Sequence, residues 1–250
     1  MNTTDMKLTI GHLYPELLNL YGDRGNVVCM VKRCLWRGIR AKAVEYHIGD
    51  RIDFSKLDIV LLGGGSDREQ RIVCRELKKV QKEFKRYVED DGVVIAVCGG
   101  YQLLGKYYRT REGVIEGLGL LDIYTEQGDG RLIGNIVLDS GLSDVPVVGF
   151  ENHGGRTYLC GHKPFGRVLY GAGNDGVSGY EGVIYRNVTG TYLHGPLLPK
   201  NAQVCDHLIE RALERRYGPV ELKELDDRME LAANEYICRR FAGKKRAAGC

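Results

Sequence analysis

The residue best suited to covalent chemistry in this chain is a cysteine that directly follows an apolar segment of strand length. Gly92–Val97 is that segment, and Cys98, Gly99 and Gly100 come immediately after it. Because glycine tolerates positive φ and close backbone contacts, the pattern predicts a tight strand-to-helix turn with the thiol at the carboxyl edge of a sheet. We expect unpaired N–H groups at the start of that helix to lower the pKa of the thiol and favour the thiolate.

A thiolate that attacks a carbonyl carbon needs hydrogen-bond donors for the oxyanion that develops. We expect the N–H of Gly99 to be one donor. The N–H of Gly64 is the second candidate, because it lies in a glycine loop that ends a neighbouring apolar run. A buried structural cysteine at a tight turn is the alternative interpretation of Cys98, since cysteine is common in protein cores.

A nucleophilic thiol also needs a base, and His194 is the strongest candidate among the six histidines. It ends the strand-like segment Val188–Leu193 and precedes Gly195-Pro196, a pattern that predicts a loop at a sheet edge. His153 is the second candidate. A surface loop histidine without a catalytic role is the alternative for His194.

The segments around these residues alternate between strand and helix patterns in the first half of the chain. Strands are predicted at Lys7–Tyr14, Ala41–Ile48, Asp58–Leu62 and Gly92–Val97, and helices at Gly25–Gly38 and Arg68–Asp91. This order predicts an α/β sheet with right-handed crossovers. The second half reads as antiparallel strands and ends in helices at Asn201–Tyr217 and Glu224–Ala242. We expect one domain over 1–242 and a disordered tail over 243–250.

Composition and charge exclude several classes of protein. Lys plus Arg is 36 and Asp plus Glu is 33, so the formal net charge of +3 disfavours general nucleic-acid binding. The apolar runs are too short to insert in a membrane, and the N-terminus lacks the apolar core of a secretion signal. None of the cysteine spacings is that of a typical metal site. We therefore expect a soluble cytoplasmic protein without a bound metal.

Three segments together resemble the class I, or triad-type, glutamine amidotransferases of the cobyric acid synthase-like branch. They are Gly63–Gly65, Cys98–Gln102 and Thr191–Pro196. The opening His12–Asn26, which ends in Tyr-Gly-Asp-Arg-Gly-Asn, is similar to the start of the GatD family, the glutaminase subunits of lipid II isoglutaminyl synthases. The resemblance implies a flavodoxin-like α/β fold, with a mostly parallel sheet, helices on both faces and antiparallel additions in the second half.

The resemblance also implies a mechanism. Cys98 attacks the side-chain amide of L-glutamine, His194 protonates the departing ammonia, and water hydrolyses the resulting γ-glutamyl thioester to glutamate. Gln102 matches the family glutamine that faces the substrate from the first helical turn after the nucleophile. Arg131 is the candidate for binding the substrate α-carboxylate, because a guanidinium fork suits a carboxylate. A solvated turn residue is its alternative.

One departure from the family pattern concerns the residue that orients the histidine. Most class I amidotransferases carry His-x-Glu, whereas this chain reads His194-Gly195-Pro196, a gap that the cobyric acid synthase-like branch shares. We expect either Glu151 or a carboxylate of a partner subunit to substitute. The isolated chain should therefore have weak glutaminase activity.

The resemblance implies a heterodimer with a Mur ligase-like, MurT-type synthetase subunit that uses ATP and Mg²⁺ to amidate the D-glutamate α-carboxyl of the lipid II stem peptide. No cofactor is expected here, because the glycine loop Gly63–Ser66 lacks the Lys-Ser/Thr of a phosphate-binding P-loop. Tyr21, Asp23 and Asn26 either belong to the subunit interface or ammonia exit, or form a capped loop before a helix.

Three other functions stay open on the sequence alone. The amide could be delivered to another carboxylate, such as that of a corrinoid. A cysteine peptidase or hydrolase on a related fold would act without a partner. A binding module that kept the fold would not react with glutamine analogues at Cys98.

Overall fold

The computed structural model describes residues 5–243, in which strands and helices alternate along the first half of the chain. The strands are β1 (Lys7–Leu13), β2 (Arg40–Tyr46), β3 (Ile59–Leu62), β4 (Val93–Val97), β5 (Tyr107–Thr110), β6 (Gly113–Glu116), β7 (Tyr124–Asp139), β8 (Val147–Tyr158), β9 (Gly166–Tyr170), β10 (Tyr180–Glu181), β11 (Val183–Tyr185), β12 (Val188–Thr191) and β13 (Leu193–His194). The α-helices are α1 (Arg24–Trp36), α2 (Asp67–Lys79), α3 (Gln81–Glu89), α4 (Gly99–Leu104), α5 (Ala202–Tyr217) and α6 (Arg228–Phe241). Residues 244–250 of the predicted tail lie outside the described residues.

The central sheet has six strands in the order β11-β12-β4-β3-β1-β2. Every neighbouring pair is parallel except β11 with β12, which is antiparallel. Numbered along the chain, its parallel strands have the order 2-1-3-4-5, the flavodoxin-like arrangement. The α/β fold class expected from the sequence is confirmed.

Successive residues of the central strands pack into different hydrophobic clusters. Val60 and Leu62 of β3 belong to a cluster that includes side chains of α2 and α3. Ile59 and Leu61 of the same strand belong to a second cluster, with side chains of α1 and α5. Because side chains alternate between the two faces of a strand, helices cover both faces of the sheet.

A second sheet has the order β10-β9-β7-β5-β6, with β8 beside β7 and β13 beside β8. The expectation of antiparallel strands in the second half is wrong for β12, which joins the central sheet parallel to β4. The long strands β7 and β8 pair in antiparallel fashion, as the sequence predicts. The short strand β13 pairs with β8, opposite Phe150 and Glu151. This pairing fixes the backbone that carries His194.

The structure differs from the sequence prediction between β3 and β4, where one long helix was expected. Two helices, α2 and α3, meet at Val80, whose φ of −118° and ψ of 16° are not helical. The N–H of Val80 bonds to the carbonyl of Leu77 at 3.1 Å and closes a tight turn there. The break lets α3 bury Phe84, which stacks on Phe54 with ring centroids 4.7 Å apart.

Across residues 5–243, none of the helices combines the length and the apolar character that crossing a bilayer requires.

Candidate active site

Four chemically important residues follow parallel strands and therefore meet at the carboxyl edge of the central sheet. Gly64 follows β3, Cys98 follows β4, and His194 lies shortly after β12. Asp23 lies in the connection between β1 and α1. Ligands bind at this edge in open α/β folds, so these side chains define the candidate site.

The turn predicted at Cys98 is present and has a backbone conformation that non-glycine residues rarely adopt. Cys98 has φ of 49° and ψ of −105° between β4 and α4. A Cβ on Gly99 would lie 3.0 Å from the backbone N and O of Gly65, and one on Gly100 would lie 2.7 Å from the carbonyl of Leu62. The two glycines are thus required because the loop after β3 comes so close to them. The strained backbone of Cys98 is typical of a functional position.

Cys98 and His194 both lie next to Gly64. An ideal Cβ built on Gly64 would lie 3.3 Å from Cys98 Cβ and 3.2 Å from His194 Cε1. Because both distances start from the same point, Cys98 Cβ and His194 Cε1 lie close to each other. The structure thus brings the proposed nucleophile and the proposed base together beside Gly64, where a larger residue would crowd both side chains.

The expectation of a lowered thiol pKa at Cys98 is wrong in this structure. Burial raises the pKa of the Cys98 thiol to about 12, and the charge of Asp23 raises it further. The N–H of Gly99 and the charge of Arg131 favour the thiolate but are weaker than burial. By its accessible surface Cys98 is only partly buried, so the direction of this shift carries more weight than its size.

His194 is a buried, neutral imidazole. Its side chain is 1% exposed, and neither ring nitrogen has a hydrogen-bond partner among residues 5–243. Burial lowers the pKa of His194 to about 3, and the charges of His153, Arg131 and Lys200 act in the same direction. The ring of Tyr21 packs against it with centroids 4.1 Å apart. A neutral imidazole is in the right protonation state to accept a proton.

The two predicted oxyanion donors differ in their present partners. The N–H of Gly99 points toward the Cys98 sulfur, where it favours the thiolate. The N–H of Gly64 donates to Oδ2 of Asp23 at 2.7 Å. In this conformation the second donor is therefore occupied by a carboxylate of the same chain.

The two predicted substrate-binding residues differ in burial and in their hydrogen-bond partners. Arg131 is exposed on β7, and its guanidinium binds the side chain and the carbonyl of Asn152, each at 2.7 Å. Gln102 is buried on α4, and its amide donates to the hydroxyl of Tyr192 at 3.1 Å. That hydroxyl also bonds to Thr157 at 2.6 Å. A direct contact of either residue with substrate stays a prediction.

Glu151 does not replace the missing orienting acid in this conformation. Its two oxygens accept the N–H groups of Ala172 at 2.7 Å and Gly173 at 2.9 Å. Its carboxylate lies 4.0 Å from Nε2 of His153. The suggestion that Glu151 orients His194 is therefore not supported.

His153, the second candidate for the base, is also held in place. Its Nδ1 bonds to the carbonyl of Gly155 at 2.8 Å, and its ring stacks on Tyr192 with centroids 3.6 Å apart. Of the two histidines, His194 is the one beside Gly64 and Cys98, since a Cβ built on Gly64 would lie 3.2 Å from its Cε1.

Sequence reasoning missed the role of Glu181, a fully buried carboxylate behind the site. It accepts the N–H of Tyr192 at 2.6 Å and the hydroxyl of Thr191 at 3.0 Å. The carbonyl of Thr191 in turn accepts the N–H of Cys98 at 2.8 Å. Glu181 thus holds the backbone of Thr191 and Tyr192, which bonds to Cys98 and leads directly to His194. Its pKa is raised to about 8 by burial, and no pattern in the sequence indicates this contact.

Comparison with known proteins agrees with this geometry. The model of the CobB/CobQ-like glutamine amidotransferase domain matches residues 9–202. The chain is 44% identical over 242 residues to the lipid II isoglutaminyl synthase (glutamine-hydrolyzing) subunit GatD of Staphylococcus aureus (strain N315), across 96% of this chain and 99% of that protein.

More distant similarities have a smaller extent or show the fold alone. A probable cobyric acid synthase of Methanothermobacter thermautotrophicus is 35% identical over 162 residues, which cover 59% of this chain and 31% of that protein. A crystal structure of a glutamine amidotransferase superposes with a TM-score of 0.53 at 19% identity, over 81% of this chain and 98% of that chain. Since the family model covers more than half of the sequence and the staphylococcal match runs along nearly all of both proteins, this chain belongs to the CobB/CobQ-like glutamine amidotransferase family.

Proposed function

We propose that this chain is the glutaminase subunit of a lipid II isoglutaminyl synthase and that Cys98 and His194 carry its chemistry. The observation that supports this most is the meeting of a strained cysteine turn and a buried neutral histidine at Gly64. The match to the GatD subunit along 96% of this chain supports the same assignment. The match to the cobyric acid synthase covers only 59% of this chain, so it supports a corrinoid acceptor less strongly than the GatD match supports lipid II.

The first half of the reaction forms a thioester. His194 accepts the thiol proton while the sulfur of Cys98 attacks the side-chain amide carbon of L-glutamine, and the amide oxygen becomes an oxyanion. We assign the stabilisation of that oxyanion to the N–H of Gly99, which in this conformation points toward the Cys98 sulfur. The tetrahedral intermediate collapses, the carbon–nitrogen bond breaks, and His194 returns its proton to the departing nitrogen, so that ammonia leaves.

The second half regenerates the enzyme. His194 takes a proton from water as the water oxygen attacks the γ-glutamyl thioester. The carbon–sulfur bond then breaks, glutamate is released, and the sulfur recovers its proton from His194. In this scheme no atom changes its oxidation state, and the steps use only side chains and backbone groups of this chain.

The pKa values of the pair favour activation by a partner. With the pKa of Cys98 raised to about 12 and that of His194 lowered to about 3, proton transfer between them is unfavourable in this conformation. A carboxylate placed beside His194 would stabilise the imidazolium and reverse part of this imbalance. We therefore propose that the synthetase subunit supplies such a group.

We assign the remaining chemistry to that partner. A Mur ligase-like, MurT-type subunit would bind ATP and Mg²⁺ and activate the D-glutamate α-carboxyl of the lipid II stem peptide. Ammonia from this chain would attack the activated carboxyl and form the amide. The cytoplasm, which supplies ATP, is the expected location.

Covalent labelling with the glutamine analogue 6-diazo-5-oxo-norleucine tests the proposal. We expect one adduct per chain, located on Cys98 by mass spectrometry, and faster labelling when the synthetase subunit is present. The matched control is Cys98→Ala, which should take up no label. An adduct on another cysteine, or none in the presence of the partner, would exclude this mechanism.

A further inference from the structure

The carboxylate of Asp23 lies where a helix-capping residue would be, but it binds the glycine loop after β3 instead of the start of α1. Asp23 directly precedes α1 and makes no side-chain hydrogen bond to that helix. Its Oδ2 accepts the N–H of Gly64 at 2.7 Å. The residue has no exposed surface, and its second oxygen has no partner among residues 5–243. A buried carboxylate with one unpaired oxygen is costly, so its position calls for a functional explanation.

Asp23 lies against the same glycine that separates the nucleophile from the base. An ideal Cβ on Gly64 would be 3.6 Å from Asp23 Oδ2, close to its distances from Cys98 and His194. The negative charge of Asp23 also raises the pKa of the Cys98 thiol. The carboxylate therefore acts on both requirements of the first step, namely the ionised sulfur and a free N–H for the oxyanion.

We propose that Asp23 is a positioning residue that holds the Gly64 N–H away from the substrate oxyanion, and that release of this hydrogen bond completes the oxyanion hole. This inference rests on the proposed glutaminase function. While the bond to Asp23 persists, Gly99 is the donor that remains for the oxyanion. The isolated chain is thus held in a state of low activity.

The glycine loop has other anchors that would keep it in place without Asp23. The carbonyl of Gly64 accepts the N–H of Leu20 at 3.0 Å, and the carbonyl of Gly63 accepts the N–H of Gly100 at 3.0 Å. Loss of the Asp23 carboxylate should therefore free one N–H without dismantling the loop. A purely structural role would instead predict that loss of the carboxylate impairs every activity of the site.

The segment that carries Asp23 can connect the site to a partner. Leu20 is 60% exposed and Arg24 has a side chain that is 64% exposed, whereas Tyr21 packs on the ring of His194. A synthetase subunit that binds the exposed part of this segment could draw the carboxylate away from Gly64 while it completes the environment of His194.

The test compares two substitutions with opposite effects on the hydrogen bond. Asp23→Asn keeps an oxygen that can accept the Gly64 N–H and removes the charge. Asp23→Ser is tolerated before a helix but is too short to reach Gly64. For each full-length chain, two rates are measured at one pH: glutaminase kcat, and alkylation of Cys98 by iodoacetamide. Alkylation reports thiolate formation without an oxyanion, so the ratio of kcat to alkylation rate isolates the oxyanion hole.

We expect this ratio to rise at least about tenfold in Asp23→Ser, since one oxyanion donor is worth roughly 10²–10³ in kcat. In Asp23→Asn the alkylation rate rises, but the ratio stays within about twofold of wild type. Activation by the partner subunit should be smaller in Asp23→Ser than in wild type. An unchanged or lower ratio in Asp23→Ser, or an equal rise in Asp23→Asn, would overturn the inference.

Amide hydrogen exchange at Gly64 supplies a test that does not depend on activity or on the folding of a variant. Slow exchange in the isolated wild-type chain is expected, and fast exchange would contradict the proposed hydrogen bond. Failure of the proposed function gives a different result, namely a wild-type complex that hydrolyses no glutamine and forms no adduct on Cys98. A complex that amidates normally while the Asp23→Ser ratio is unchanged removes only the inference on Asp23.

Discussion

At Cys98 the backbone and the surroundings have opposite effects on the reactivity of the sulfur. The strained turn with φ of 49° places Cys98 directly after β4, at the carboxyl edge of the sheet where substrate can approach. Burial and the charge of Asp23 nevertheless raise the pKa of the sulfur. In this conformation the surroundings of the sulfur therefore disfavour the thiolate that attack on substrate requires.

The raised pKa of Cys98 predicts the pH dependence of its alkylation. A thiol whose pKa is about 12 has a thiolate fraction that grows about tenfold per pH unit across the neutral range. We expect the iodoacetamide rate at Cys98 in the isolated chain to climb from pH 7 to pH 10 without a plateau, as followed by peptide mass spectrometry. Cys160, which is exposed, is the internal reference. A rate that levels off below pH 8 would show that the thiol is already ionised.

Removal of the imidazole tests the assignment of the base. We expect His194→Ala to lose glutaminase kcat by at least about 10²-fold, because a general base contributes roughly 10²–10⁴. Alkylation of Cys98 at high pH should persist, because hydroxide then removes the proton. His153→Ala is the comparison variant, and it should retain more activity than His194→Ala. Full activity in His194→Ala would transfer the role to His153.

At the scale of elements, the site depends on how closely the loop after β3 approaches the start of α4. Gly100 lies where a Cβ would be 2.7 Å from the carbonyl of Leu62, and its N–H bonds to Gly63 at 3.0 Å. This contact sets the distance between the oxyanion donors and the sulfur. A shift of the loop would separate groups that must act on one atom.

Gly100→Ala should therefore damage catalysis through this contact. We expect at least a tenfold loss of kcat and a decrease of about 1–3 kcal/mol in the free energy of unfolding, because overpacking costs that much. The control is Gly134→Ala on β7, where a Cβ would have no neighbour within 4 Å. Enzyme assays and urea denaturation give both quantities. Equal effects of the two substitutions would argue against the tight contact.

The sequence predicts the positions of strands and helices better than it predicts the surroundings of individual side chains. Short apolar runs ended by glycines correctly indicate β3, β4 and the turn at Cys98, because periodicity and turn chemistry are local. The division of the long predicted helix at Val80 depends on packing against Phe54, which is remote in sequence. The raised pKa of Cys98 and the bond from Gly64 to Asp23 likewise arise from tertiary contacts.

At the scale of the whole molecule, a buried arginine joins the helix after Asp23 to the C-terminal part of the chain. Arg33 of α1 is fully buried and binds Asp206 of α5 through two nitrogens, each at 2.6 Å. It also binds Asp227, just before α6, at 2.6 Å. These ion pairs hold α1, and with it the segment that touches His194, against the rest of the fold.

Loss of Arg33 should destabilise the whole fold. We expect Arg33→Ala to lower the free energy of unfolding by about 3 kcal/mol, because removal of one partner leaves uncompensated charges in a partly buried cluster. Arg167 pairs with Asp139 at the surface, with side chains 64% and 51% exposed. Arg167→Ala should cost less than about 1 kcal/mol. Similar urea midpoints for the two variants would contradict the importance of the cluster.

Nitrogen delivery by Cys98 is tested most directly in the assembled enzyme. Cys98→Ser, combined with the synthetase subunit, ATP, Mg²⁺ and lipid II, is assayed for amidation with either glutamine or an ammonium salt as nitrogen source. We expect amidation with glutamine to be abolished and amidation with ammonium to persist at a rate close to that of the wild-type complex. Glutamine-dependent amidation by the Cys98→Ser complex would contradict the assignment of this chain as a cysteine-dependent source of ammonia.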